Sequence, residues 1–131
     1  MTREEYNKKI KEYGNQLRDN YSDDLYNEVS EFQRLYMEEW LERYKATVGD
    51  SKAKEYVYEL IDYLTHWSES GSSLVYVETS ELANEVLNEL DKEFGECLLE
   101  WPEVYREDGE WVVDCIFGGN WCPYWDGWYW D

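Results

Sequence analysis

The chain has 131 residues, of which 31 are Asp or Glu and 12 are Lys or Arg, giving a formal net charge of −19. A surface so acidic cannot form the basic patch that binds nucleic-acid phosphates, and anionic lipid headgroups would repel it. The 8 Trp, 13 Tyr and 3 Phe exclude an acidic disordered tail, because such tails are poor in aromatic residues. No apolar run approaches the ~20 residues of a membrane span. Neither direct nucleic-acid binding nor membrane binding is therefore expected.

Two helices are predicted at the start of the chain. Thr2 and Glu5 form a capping box in front of a helix over about residues 2–19. Ser22, followed by two acidic residues, starts a second helix with a long apolar stripe, and Gly49 ends it in the usual post-helix position.

A third helix and a first strand follow. Asp50 and Ser51 open the helix, whose predicted buried face consists of Val57, Leu60, Ile61, Leu64 and Trp67. Residues 68–73 are a break of small polar residues, and residues 74–77 are rich in β-forming side chains.

A fourth helix and a second strand are predicted next. Thr79 or Ser80 caps the helix and Gly95 ends it, with one apolar face that contains Leu82, Val86 and Leu90. Residues 97–101 predict a strand that Pro102 interrupts, since proline cannot donate to a strand ladder.

A hairpin follows that strand. Asp108-Gly109 suits a two-residue type I′ turn between strands over residues 103–107 and 110–117. Residues 120–131 contain four Trp and two Tyr, and we expect them to fold back as a last strand that covers the sheet.

These elements predict an α+β fold in which a helical N-terminal half of about three helices packs on a small β-α-β-β half with an antiparallel sheet. The length fits one domain over residues 1–131. It would consist of a near-neutral helical part, residues 1–68, and an acidic α/β part with a Trp-rich end, residues 73–131.

The negative charge is regional. Residues 1–54 contain 10 Lys or Arg and 12 Asp or Glu, a net charge of −2, whereas residues 55–131 contain 2 and 19, a net charge of −17. Carboxylates recur on one face of the predicted fourth helix and continue along the hairpin. The helix row is Glu78, Glu81, Glu85 and Glu89, and the hairpin row is Glu100, Glu103, Glu107, Asp108, Glu110 and Asp114.

Only Lys92 and Arg106 are cations of this acidic half, so the two rows are read as one surface of a single sign that faces a cationic partner. A solvated helix face is the alternative interpretation of either row alone. Aromatic residues are favoured interface anchors, and the candidates are Trp111, Trp125 and Trp128.

No catalytic or metal-binding signature is present. His66 is the single histidine, and no HExxH, CxxC, phosphate-binding glycine loop or calcium-loop pattern occurs. We therefore expect no enzyme activity, no metal and no cofactor. Cys97, Cys115 and Cys122 are odd in number, which favours a reducing compartment, with a Cys115–Cys122 bridge left as the alternative.

The chain resembles the small acidic inhibitors that bacteriophages and mobile elements carry, including anti-CRISPR proteins and anti-restriction DNA mimics. The two carboxylate rows carry this resemblance, which is one of size, charge and aromatic content. It implies a non-enzymatic inhibitor that binds a basic nucleic-acid-binding protein, a bacterial defence nuclease or CRISPR effector, in the host cytoplasm. The near-neutral first third departs from a uniformly acidic mimic and suggests a scaffold or a second contact.

Two other functions remain open from the sequence. The same acidic complementarity would suit an immunity protein that neutralises a toxin nuclease. The Trp cluster beside carboxylates would suit a carbohydrate-binding module or a small glycosidase.

Overall fold

The structure is a computed structural model that describes residues 1–67, 72–94 and 102–116. These ranges contain four helices and three strands, in the order α1 (Arg3–Asp19), α2 (Asp23–Val48), α3 (Lys52–His66), β1 (Ser72–Val77), α4 (Ser80–Phe94), β2 (Glu103–Glu107) and β3 (Glu110–Ile116). The expected combination of helices with an antiparallel sheet is confirmed.

Side-chain caps fix the helix starts. Thr2 and Glu5 form the predicted capping box at α1, with each side chain bound to the backbone N–H of the other residue. The hydroxyls of Ser22 and Ser51 accept backbone N–H groups at the starts of α2 and α3. At α4 the cap is Thr79, one of the two residues, Thr79 or Ser80, that the sequence allowed. Each cap satisfies a donor that the helix itself leaves unbonded.

The sheet has the strand order β1-β3-β2, so β3 is central and both of its pairings are antiparallel. In β1, Ser73, Val75 and Val77 are buried while the alternate positions are not. Their partners on β3 are Cys115, Val113 and Trp111. Paired residues share a sheet face, so these six residues define the inner sheet face, which faces the helices.

The core lies between the helices and this inner face. Leu60 of α3, Val86 of α4 and Val113 of β3 are each 0% exposed, and all three belong to the same cluster of buried side chains. The Ser73 hydroxyl donates a 3.0 Å hydrogen bond to the Leu60 carbonyl, which ties β1 to α3. Cys115 is a free, buried thiol, and burial raises its pKa to about 12.

Some sequence expectations differ from the structure or lie outside the described residues. Trp67 was expected to be buried, yet it is 74% exposed, because α3 ends at His66 and Trp67 is the residue that follows the helix. The expected strand over 97–101 and the Trp-rich residues 120–131 lie outside the described ranges.

Candidate partner-binding surface

The face of the sheet that turns away from the helices carries most of the hairpin carboxylates. We call it the outer sheet face, and it follows from the pairing register of the three strands. Its members are Ser72, Leu74, Tyr76, Glu103, Tyr105, Glu107, Glu110, Val112 and Asp114. None of these positions is a Lys or Arg.

Acidic residues oppose each other across this face. Glu103 is the direct partner of Asp114, and Glu107 is the direct partner of Glu110. Like charges that lie directly opposite on neighbouring strands destabilise a sheet. The hairpin therefore holds two like-charge pairs, and a lysine at either position of a pair would relieve that pair.

Two tyrosines lie between these acidic pairs. Tyr76 and Tyr105 are the partners of Val112, which is 0% exposed between them. Their hydroxyls donate long hydrogen bonds of 3.5 Å, Tyr76 to Glu107 and Tyr105 to Asp114. The negative charge of Glu107 raises the pKa of Tyr76. Burial, followed by the charges of Asp114 and Glu107, raises that of Tyr105. The centre of the outer sheet face is thus aromatic and its two ends are anionic.

The turn of the hairpin adds a further carboxylate at its tip. Asp108 and Gly109 both have positive φ, at 51° and 83°, as the predicted type I′ turn requires. Asp108 is exposed there, next to Glu107 and Glu110. The turn thereby extends the acidic surface beyond the end of the strands.

The acidic row on α4 divides into two kinds of residue. Ala83, Val86 and Leu90 are buried against the core, so Glu81 and Glu85 fall on the opposite, exposed side of the helix. Glu89 lies on the flank of α4, and its side chain is only 15% exposed. The expected exposed row therefore holds for Glu78, Glu81 and Glu85 but not for Glu89.

Glu89 and Glu78 are bound by residues of the helical part. Glu89 accepts a 2.8 Å hydrogen bond from the Tyr44 hydroxyl, and Lys54 lies 3.9 Å from the same carboxylate. Burial, together with the Glu89 carboxylate, strongly raises the pKa of Tyr44.

Glu78 has an analogous pair of partners, the Tyr56 hydroxyl at 2.8 Å and Lys52 at 3.8 Å. From the sequence, only Lys92 and Arg106 were expected to lie near these carboxylates. The structure corrects this, because Lys52 and Lys54 precede the acidic half and lie beside Glu78 and Glu89.

The structure also separates the two acidic elements that the sequence combined into one surface. α4 packs with α3 on the inner sheet face, and its exposed carboxylates point away from the core. The hairpin carboxylates lie on the outer sheet face. One flat partner surface cannot contact both groups at once.

Trp111 lies apart from the carboxylates. It is half-buried on the inner sheet face, where it packs against the core, and the Arg106 guanidinium lies 5.7 Å from its ring centroid. Three more of the proposed contact residues, Glu100, Trp125 and Trp128, lie outside the described residues.

A groove next to the outer sheet face was not anticipated. It is a partly open groove of about 500 Å³ between α3 and the sheet, and among described residues it is lined by Tyr63, Ser72, Ser73, Leu74 and Asp114. The alternation of β1 could have placed Leu74 and Tyr76 outward. Nothing local in the sequence places Tyr63 beside Leu74, because their position in one groove depends on how α3 packs on β1.

Chemistry of other kinds has little support in the described ranges. No group of three or more His, Cys, Asp or Glu there is placed to hold a metal ion. His66 is exposed at the end of α3, with Asp62 at 3.1 Å and Glu38 at 3.3 Å from its ring nitrogens. No helix among the described residues is long and apolar enough to cross a membrane.

Compared with protein-family models, curated protein sequences and solved structures, the chain matches none of them.

Proposed function

We propose that the protein is a non-enzymatic acidic inhibitor that binds the cationic nucleic-acid-binding surface of a bacterial defence nuclease or CRISPR effector. The observation that supports this best is the pairing of like charges across the strands, Glu103 opposite Asp114 and Glu107 opposite Glu110, on a face whose described strand positions include no Lys or Arg. By occupying the cationic surface of the nuclease or effector, the protein would block access of nucleic acid to it in the cytoplasm of a bacterial host.

The two repulsive pairs disfavour a purely structural role for these carboxylates. Cross-strand pairs change stability by about 0.2–1 kcal/mol each, and like charges have the unfavourable sign. A cationic partner turns this repulsion into attraction, because its Lys and Arg side chains neutralise both members of each pair.

The dimensions of the acidic surface suit a basic groove. The two pairs are four residues apart along their strands, or about 14 Å at a rise of about 3.4 Å per residue. Neighbouring strands lie about 4.8 Å apart. Four carboxylates and the Asp108 tip therefore occupy a narrow strip, whereas duplex DNA presents a charge every ~1.7 Å of its axis. The strip would therefore fill part of the partner's basic groove, and it carries fewer charges than the nucleic acid that it replaces.

The exposed carboxylates of α4 provide a matched control. Replacing Glu103, Glu107 and Glu110 with Gln removes three charges from the outer sheet face. Replacing Glu81 and Glu85 with Gln and Asp91 with Asn removes three exposed charges from α4. The two variants have the same net charge, so any difference between them reports the location of binding.

The experiment measures competition with DNA. The native protein is immobilised, captured lysate proteins are identified, and each purified nuclease or effector is titrated with the inhibitor in the presence of labelled DNA duplex. We expect binding that weakens between about 50 mM and about 200 mM salt, and displacement of DNA. The outer-sheet-face variant should bind more than about tenfold more weakly than the α4 variant. Equal affinity of the two variants, or simultaneous binding of DNA and inhibitor, would contradict the proposal.

A further inference from the structure

The groove between α3 and the sheet combines an aromatic ring, an aliphatic side chain and a carboxylate. The Tyr63 side chain is 49% exposed and Leu74 is 43% exposed, although both are large and largely apolar. Asp114, from the acidic outer sheet face, lines the same groove. Its volume of about 500 Å³ lies within the range of about 300–1,000 Å³ that is common for ligand pockets.

The side chain that matches this combination is arginine. A guanidinium is planar, stacks on aromatic rings and donates two parallel hydrogen bonds to a carboxylate. Its aliphatic stem packs against apolar side chains such as leucine. Lysine offers a point charge without the planar group, so it gains less from a ring and a carboxylate in one groove.

The chain itself places a cation over several of its other rings. Lys45 lies 5.8 Å from the ring of Tyr58, Lys54 lies 5.6 Å from that of Tyr44, and Arg106 covers Trp111. Within the part of the chain that the structure describes, no Lys or Arg side chain covers the ring of Tyr63 or pairs with Asp114. Here the cation is left to a second molecule.

We infer that this groove is the specificity pocket of the acidic surface and receives one arginine side chain of the cationic partner. The guanidinium stacks on Tyr63 and pairs with Asp114, while the surrounding outer sheet face neutralises neighbouring cations of the same partner. This inference rests on the proposed function, and it adds a preference for arginine that charge alone would not give.

The test compares two peptides of equal length and charge, an arginine homopeptide and a lysine homopeptide, titrated into the native protein by calorimetry. We expect the arginine peptide to bind roughly fivefold more tightly. Backbone amide NMR signals of Leu74 and Asp114 should shift with the arginine peptide and much less with the lysine peptide. Tyr63→Ala and Asp114→Asn should each abolish the preference, whereas Tyr63→Phe, which keeps the ring, should retain it.

Glu110→Gln is the matched control, because it removes one carboxylate of the outer sheet face outside the groove. It should weaken both peptides equally and leave the arginine preference intact. Circular dichroism and the retained affinity for the lysine peptide show that each variant is folded. Equal affinity of the native protein for the two peptides would overturn the inference that the groove selects arginine, but it would leave the proposed function standing. If neither peptide bound in a salt-sensitive manner, both would fail.

Discussion

Charged side chains are arranged differently in the helical part and on the outer sheet face. Along α2, Arg34 pairs with Glu31 and Glu38, and Arg43 lies 3.8 Å from Glu39. On the outer sheet face, acidic residues instead face acidic residues across the strands. The first arrangement pairs opposite charges within the fold, whereas the second places like charges opposite each other on neighbouring strands. The location of the charge is therefore more informative than its total.

The helices and the sheet share one core, and Leu60→Ala tests this with the largest expected effect. Leu60 is 0% exposed and lies in the cluster that also contains Val113 of the sheet. Removing its side chain should lower the free energy of unfolding by about 2–5 kcal/mol. Chemical denaturation followed by circular dichroism, with hydrogen exchange of the β3 amides, should show helices and sheet unfolding in one transition.

The control for this substitution is Leu35→Ala on α2, where the side chain is 52% exposed. Its effect should stay within about 0.5 kcal/mol. Two separate transitions in the Leu60→Ala variant would show that the helical part and the sheet are independent folding units.

Glu89 and Glu85, four residues apart on α4, test whether bound and exposed carboxylates differ as described. Glu89→Ala removes the acceptor of the Tyr44 hydroxyl, which is then left without this bond in a residue that is 5% exposed. We expect a loss of about 1–3 kcal/mol in the free energy of unfolding.

Glu85→Ala should change stability by less than about 0.5 kcal/mol, since this side chain is exposed. Thermal and urea unfolding of the two variants measure the difference. A similar loss in both would mean that the Tyr44–Glu89 bond contributes nothing particular to the packing of α2 against α4.

Tyr56 and Glu78 give the smallest expected effect, a change of stability with pH. Burial and the bond to Glu78 raise the pKa of Tyr56 to about 12, and the same bond lowers the pKa of Glu78. A raised pKa means that the contribution of Tyr56 is complete below its ordinary value of 10.0 and is lost as pH rises through about 12. A lowered pKa means that the contribution of Glu78 is complete above its ordinary value of 4.5 and is lost as pH falls below it.

Tyr56→Phe removes only the hydroxyl, so its stability difference from the native protein isolates this bond. The difference should be constant between the two ordinary pKa values and shrink on either side, as unfolding at several pH values would show. A difference that does not depend on pH would show that the hydroxyl contributes to stability without the bond to the ionised Glu78 carboxylate.

Local sequence signals predicted the helices and the hairpin well, because caps and turns depend on residues close in the chain. Thr2, Ser22 and Ser51 cap the helices as predicted, and Asp108-Gly109 forms the predicted turn. The two-residue turn also fixes the hairpin register, so the sequence was sufficient to predict that Glu107 and Glu110 lie opposite each other.

Tertiary contacts could not be predicted in the same way. The pairing of Glu89 with Tyr44 joins residues 45 positions apart, and nothing near either residue marks it. The placement of α4 on the inner sheet face, which separates Glu81 and Glu85 from the hairpin carboxylates, also depends on long-range packing. The sequence identified the acidic residues, and only the fold divided them between two surfaces.

The central position of β3 has a consequence for the order of events during synthesis. β1 is complete at Val77, but its partner β3 begins only at Glu110, after α4 and β2. Pairing over such a distance closes a long loop and is slow compared with the formation of local helices. Among the described residues, four helices and the two strands β1 and β2 are therefore synthesised before β3 can enter between those strands. The outer sheet face is assembled only when β3 pairs, so a nascent or truncated chain without β3 would lack the facing carboxylates of this surface.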